Sequence, residues 1–201
     1  KNFKNINKLI KNKNFSNCLI QNVASIYSLN KKNITNSVIL NYNSDLYNLC
    51  EWYKQLISES LGKNGKGITP IVSDCPKDHH SIFQLYLDGT KNKFYTFFSS
   101  PGDIKNYKTS SQIIPEHVHF IRNKKISSII NAQCEATKII LRKKKIPFRE
   151  FFFNKKSEDE LGMFFTFFIL ETILLARLMK IDPFNQPSVE AIKKETRKIL
   201  S

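Results

Sequence analysis

Apolar positions along this chain change their spacing several times, and each change marks an element. SVILNY (37–42) is a compact β-branched run bounded by asparagine, which predicts a strand. Directly after it, Leu46, Leu49, Cys50, Tyr53, Leu56, Ile57 and Ser60 or Leu61 recur at helical intervals, so a helix follows and stops at Gly62. NGKG (64–67) is a turn, because Asn-Gly favours positive φ, and GITPIVS (67–73) is a short extended segment. PKDHHSIFQLYLDG (76–89) predicts a helix capped by Asp78 and closed by Asp88 and Gly89, and KFYTFF (93–98) predicts a strand. Residues 100–123 carry no clean period. ISSIINAQCEATKIILRKKK (126–145) reads as a long helix, IPFREFFF (146–153) as a strand, and SEDELG (157–162) as a capping box in which Ser157 is answered by Glu160. Ahead of the first strand, residues 1–33 predict a short helix and then one around CLIQNVASIYSL. Such alternation favours a parallel sheet covered on both faces, an α/β layered fold.

Two apolar segments close the chain. LGMFFTFFIL (161–170) is interrupted by Glu171 and then Arg177, and falls short of the run that a membrane span needs. In FNQPSVEAIKKET (184–196), Pro187 suits a first helical position, with Val189, Ile192 and Ile199 expected to face the core. Gln186, Glu190 and Lys193 then line up on another face of the same helix.

Composition narrows the classes. A chain of 201 residues with 41% hydrophobic and 24% charged residues can bury one substantial core. Its net charge of +15 would attract polyanions, but the charge is mostly lysine interleaved with asparagine, as in KNFKNINKLIKNKNF. That pattern describes a dispersed basic surface that helps attract a small phosphorylated substrate, and leaves a nucleic-acid-binding role as a distant alternative. The cysteines, Cys18, Cys50, Cys75 and Cys134, form no CxxC pair, which favours buried thiols over a disulfide framework. No signal peptide is visible, and the opening on Lys1 rather than Met suggests a fragment or a missing start.

Three places carry candidate chemistry. Glu59 lies near a helix C-terminus, where a partly buried carboxylate suits a general base, although most glutamates so placed are surface residues. His79 and His80 open the predicted helix 76–89, where the neutral imidazole is favoured and can shuttle a proton; Gln84 lies one turn beyond His80. Lys193 beside Glu190 and Gln186 could form a charge clamp, or an ordinary surface ion pair. Cys75, Asp78, His79, His80, His117 and His119 are possible metal ligands, but their spacing matches no standard zinc pattern, so no metal is expected. Neither common glycine-rich nucleotide loop is present.

Taken together, WYKQLISESLGKNGKGITPI, PKDHHSIFQLYLDGTKNKFYTF and IDPFNQPSVEAIKKET resemble the C-terminal half of glucose-6-phosphate isomerase in its shorter bacterial form. They occur in the family's order and cover almost the whole chain. The resemblance implies a three-layer α/β sandwich of the sugar-isomerase (SIS) type, with residues 1–201 as the C-terminal domain and the N-terminal half absent. It also implies a cytoplasmic, homodimeric enzyme that interconverts glucose 6-phosphate and fructose 6-phosphate through a cis-enediol, with no cofactor or metal and no nucleic-acid or membrane partner. By the same resemblance Glu59 is the catalytic base, His80 opens the sugar ring with Lys193, and Gln186 sits at the bound sugar phosphate. His79 stands where the family usually has glutamine, and Ser188 where it commonly has glycine. The family's phosphate loop and enediol-stabilising arginine lie upstream of this stretch. Independent activity is therefore in question, and a non-catalytic sugar-phosphate-binding or assembly domain is the alternative.

Overall fold

In chain order the helices are α1 (Asn2–Ile10), α2 (Lys13–Lys31), α3 (Tyr47–Leu61), α4 (Phe83–Asp88), α5 (Ile126–Lys143), α6 (Glu158–Met179) and α7 (Pro187–Leu200). The strands are β1 (Asn36–Asn41), β2 (Thr69–Asp74), β3 (Lys93–Ser99) and β4 (Phe148–Phe152). This computed structural model describes residues 2–101, 107–110, 112–155 and 157–201, with side chains from residue 6 onward. The four strands form one sheet in the order β2-β1-β3-β4, flanked by helices, and the fold is α/β as the alternation predicts. β3 runs parallel to both neighbours, with Val38 opposite Tyr95 and Phe97 opposite Glu150.

The chain divides into two compact units. Unit two comprises Asn36–Glu51 and Ile71–Ser157 and carries most of the sheet. Strand side chains alternate between faces, and one face presents Val38, Leu40, Tyr95 and Phe97 to a core shared with Phe83 and Tyr86 of α4 and Cys134 and Leu141 of α5. Each such side chain taken out of water contributes roughly 1.5–3 kcal/mol. α5 is tied to the sheet by the buried Lys138, whose ammonium is bonded by Glu135 at 2.7 Å and also by Glu150 of β4. Cys50, Cys75 and Cys134 are buried free thiols as expected, whereas Cys18 is free but exposed.

Unit one comprises Lys1–Thr35, Trp52–Pro70 and Glu158–Ser201. Here α2 and α6 pack together, with Phe15 edge-on to Phe167 at 5.7 Å. α6 starts directly after Ser157, where the capping box puts it. It runs 22 residues and contains an 18-residue window with a mean hydropathy of 1.8, so by length and composition it could cross a bilayer, contrary to the shorter apolar run read from sequence. The core helix of a soluble protein passes the same test. Within unit one its Phe168 lies against Tyr53, and its fully buried Glu171 accepts a 2.7 Å hydrogen bond from the Tyr53 hydroxyl.

Two local expectations differ from the structure. The segment 76–89 is a 3₁₀ turn (Lys77–His80) followed by the short α4, because the Asp78 carboxylate turns back to accept the Asp74 N–H at 2.9 Å instead of capping a longer helix. In α7, Val189, Ile192 and Ile199 are exposed rather than core-facing, and no residue of the helix is buried. A helix that buries nothing adds little to the stability of the rest. Deleting residues 188–201 is expected to change the unfolding free energy in urea by no more than about 0.5 kcal/mol, the usual range for surface changes. A loss of several kcal/mol would mean that α7 covers apolar surface after all.

Candidate active site

Glu59 occupies the last turn of α3, and both of its carboxylate oxygens are engaged. Gln55, one turn earlier, donates to Oε1 at 2.9 Å, and Gln186 donates to Oε2 at 3.0 Å from 127 positions away. The carboxylate is exposed rather than partly buried, so its orientation comes from these two amides and not from a dry wall.

The loop that delivers Gln186 is built by the residues that follow Glu59. After Leu61 the chain turns through Asn64 and Gly65, both at positive φ, and Gly67 at φ 138. A Cβ at Gly67 would meet the Leu61 carbonyl at 3.0 Å, and only glycine takes that backbone comfortably. The turn aims one lysine at the last residue of α6 and one at the loop after it: Lys66 donates to the Met179 carbonyl at 3.0 Å and Lys63 to the Asp182 carbonyl at 2.6 Å. The Lys66 ammonium at the helix C-terminus satisfies an orphan carbonyl and meets the negative end of the dipole. Asp182 then closes its own turn, accepting from Phe184 N–H at 3.0 Å and from the Asn185 amide at 2.6 Å. Gln186 follows at the N-cap of α7 with Pro187 at its first position. Lys63 and Lys66 are thus positioning residues that periodicity does not single out; the signal available in sequence was a lysine on either side of Asn-Gly.

Lys193 does not join this carboxylate. Its ammonium is bonded by Glu190 at 2.7 Å in an exposed pair, the surface arrangement weighed against a clamp. Among Gln186, Glu190 and Lys193, the structure brings only Gln186 to Glu59 by a hydrogen bond among the described contacts.

His80 belongs to unit two, where it is exposed at the end of the 3₁₀ turn. Gln84 hydrogen-bonds Asp88 at 3.2 Å. The adjacent His79 is the engaged histidine: its ring lies 4.3 Å from that of Phe83, and its Nε2 is 2.6 Å from the Tyr42 hydroxyl. Thr137 donates to the Gln133 carbonyl and Tyr42 donates to Thr137, each at 2.9 Å, so the Tyr42 oxygen is left to accept and His79 Nε2 carries the proton. Burial, and then the charge of His80, hold the His79 pKa below its ordinary value, which favours neutral imidazole. At His79 the neutral form is thus favoured by burial rather than by a helix terminus. Among the described residues, no three His, Cys, Asp or Glu side chains converge as a metal-binding group.

No family model matches the chain. It is 36% identical over 169 residues to a glucose-6-phosphate isomerase of Methanocaldococcus jannaschii, covering 84% of this chain and 41% of the relative. It is 34% identical over 207 aligned positions to the glucose-6-phosphate isomerase of Mycoplasmopsis pulmonis, covering 98% of this chain and 47% of the relative. This chain is a relative of the glucose-6-phosphate isomerases. It spans less than half the length of the curated isomerases it matches. Two solved structures share its fold. One is a hypothetical protein of Thermus thermophilus, with a TM-score of 0.87 at 23% identity over 98% of this chain and 48% of that one. The other is a glucose-6-phosphate isomerase of Chlamydia trachomatis, with a TM-score of 0.68 at 16% identity over 83% and 34%.

Proposed function

We propose that the chain is the C-terminal sugar-isomerase (SIS-type) domain, residues 1–201, of a cytoplasmic glucose-6-phosphate isomerase, and that it contributes the proton-transfer group to the interconversion of glucose 6-phosphate and fructose 6-phosphate. The observation that carries the reading is the Glu59 carboxylate, held between Gln55 and Gln186 where two of the isomerase-like stretches meet. A carboxylate fixed through both oxygens can take a proton from C2 of an open-chain sugar and return it to C1 by way of a cis-enediol, without a metal or cofactor. Ring opening precedes that step and needs one group to accept a proton and another to donate it, roles we assign to His80 and Lys193. Gln186 orients both Glu59 and the sugar phosphate. The complete enzyme would act as a homodimer, and the dispersed lysines serve to attract a phosphorylated sugar rather than nucleic acid or a membrane.

The Lys193–Glu190 pair favours a second reading, a non-catalytic sugar-phosphate-binding or assembly domain, since a clamped ammonium is a poor proton donor to a substrate. Co-expression with the unmatched portion of a related isomerase separates the two. Interconversion appearing only when both polypeptides are present supports the isomerase reading, whereas stable association and sugar-phosphate binding with no turnover supports the second.

A further inference from the structure

Unit two has a cavity of about 130 Å³ that none of Glu59, His80, Gln186 or Lys193 lines. It lies at the ends of β1 and β3, the point where strand order reverses in β2-β1-β3-β4. In open α/β sheets the crevice outside the carboxyl ends of the strands at such a switch point is where ligands bind. The chain leaves β1 through Tyr42 and Asn43 and leaves β3 through Ser100, and the first turns of α5 supply Ser127 and Asn131 to the opposite wall. The Asn43 amide donates to the nearly buried Ser100 hydroxyl, which joins the two strand ends into one rim.

The lining is selective in what it omits. In a chain with 32 lysines and arginines and 17 acidic residues, no charged side chain among the described residues lines this cavity. Among the described residues the lining combines serine and asparagine side chains with Tyr42, Tyr107, Pro101 and the aliphatic Ile126 and Ile130. Neutral donors and acceptors next to aromatic faces suit a molecule that carries hydroxyls on one side and C–H groups on the other, and they offer a phosphate no cation. The volume admits a small molecule and is below the several hundred Å³ of typical drug-sized sites.

We propose that this cavity is a separate binding site for a small uncharged polyhydroxylated ligand, a monosaccharide in the first instance. Tyr42 connects the site to the histidine turn, because it lines the cavity while its hydroxyl is hydrogen-bonded to His79. Occupancy should therefore register at His79 as well as at the rim.

The test is a titration of the isotope-labelled chain, followed by NMR, with glucose, with glucose 6-phosphate and with inorganic phosphate, up to about 50 mM, well above a millimolar dissociation constant. Glucose is expected to give saturable shifts at Asn43, Ser100, Ser127, Asn131 and the His79 ring, and inorganic phosphate none at the rim. Asn131→Leu, at an exposed position that should not impair folding, is expected to abolish them; Ser127→Phe, which fills the space, should do the same. Glu59→Gln is expected to leave them unchanged, so the site stands or falls independently of the proposed isomerase chemistry. No saturable rim shift with glucose, equal shifts with inorganic phosphate, or loss of the shifts in Glu59→Gln would each overturn the proposal.

Discussion

Glu59→Gln, measured with the rest of a related isomerase supplied in trans or by fusion, is expected to lower exchange of the C2 proton of glucose 6-phosphate in deuterated water by about 10²-fold or more, the usual scale for a positioned general base. Anomer interconversion should continue at the parent rate, because ring opening is assigned to His80 and Lys193. The substitution is a narrow one. A glutamine at this position keeps the length of the side chain and one amide-to-oxygen bond, and the second bond it forfeits is an exposed one, so little stability should be lost with it. His80→Ala is expected to show the converse pattern, slowing anomerisation before exchange. Exchange at the parent rate in Glu59→Gln would remove Glu59 from the role of base and would undo the residue-by-residue transfer from the isomerases at its centre.

The sheet was legible because its strands are made of residues with one strong preference: SVILNY and KFYTFF fit a pleated, buried surface, and β1 and β3 form where those runs lie. The end of α3 was legible because Gly62 stops a helix, and a side chain there would crowd the Ser58 carbonyl, with its Cβ 2.9 Å away. Periodicity was less informative about α7. It reveals that Val189, Ile192 and Ile199 form a stripe, but a stripe does not say what it meets, and here it meets solvent. The broken helix at 76–89 turned on which way one carboxylate points, and Asp78 serves a residue behind it. At the candidate site, sequence order brought the two stretches forward separately. Their meeting depends on Lys63 and Lys66 reaching one carbonyl in the loop after α6 and one at its end, contacts 119 and 113 positions apart that no local pattern encodes. The tie between Tyr42, His79 and Thr137 is equally remote in sequence, joining positions 37 and 95 residues apart.

Phe168→Ala is expected to cost about 3–5 kcal/mol of unfolding free energy, a large share of the roughly 5–15 kcal/mol that holds a typical domain together. The ring is fully buried on α6 and lies 4.3 Å from the Tyr53 ring and 5.8 Å from that of Phe167, so truncation leaves a cavity that helix packing cannot easily close. Phe165, three positions earlier on the same helix, is 36% exposed and touches Trp52 edge-on at 4.4 Å; its removal should cost about 1 kcal/mol. Urea unfolding of the two variants, followed by midpoint at constant m, measures the difference. The contrast also decides between the two readings that the composition of α6 allows. A core helix is sensitive on one side only, the side that carries Phe164, Phe168, Glu171 and Leu175. A helix crossing a bilayer would carry the buried Glu171 carboxylate in its middle only at a cost, and the outward Phe165, Ile169 and Leu178 would then be its lipid face. Equal, small losses at Phe168 and Phe165 in urea would reject the packed-core account of α6, and a strongly unequal pair would establish it.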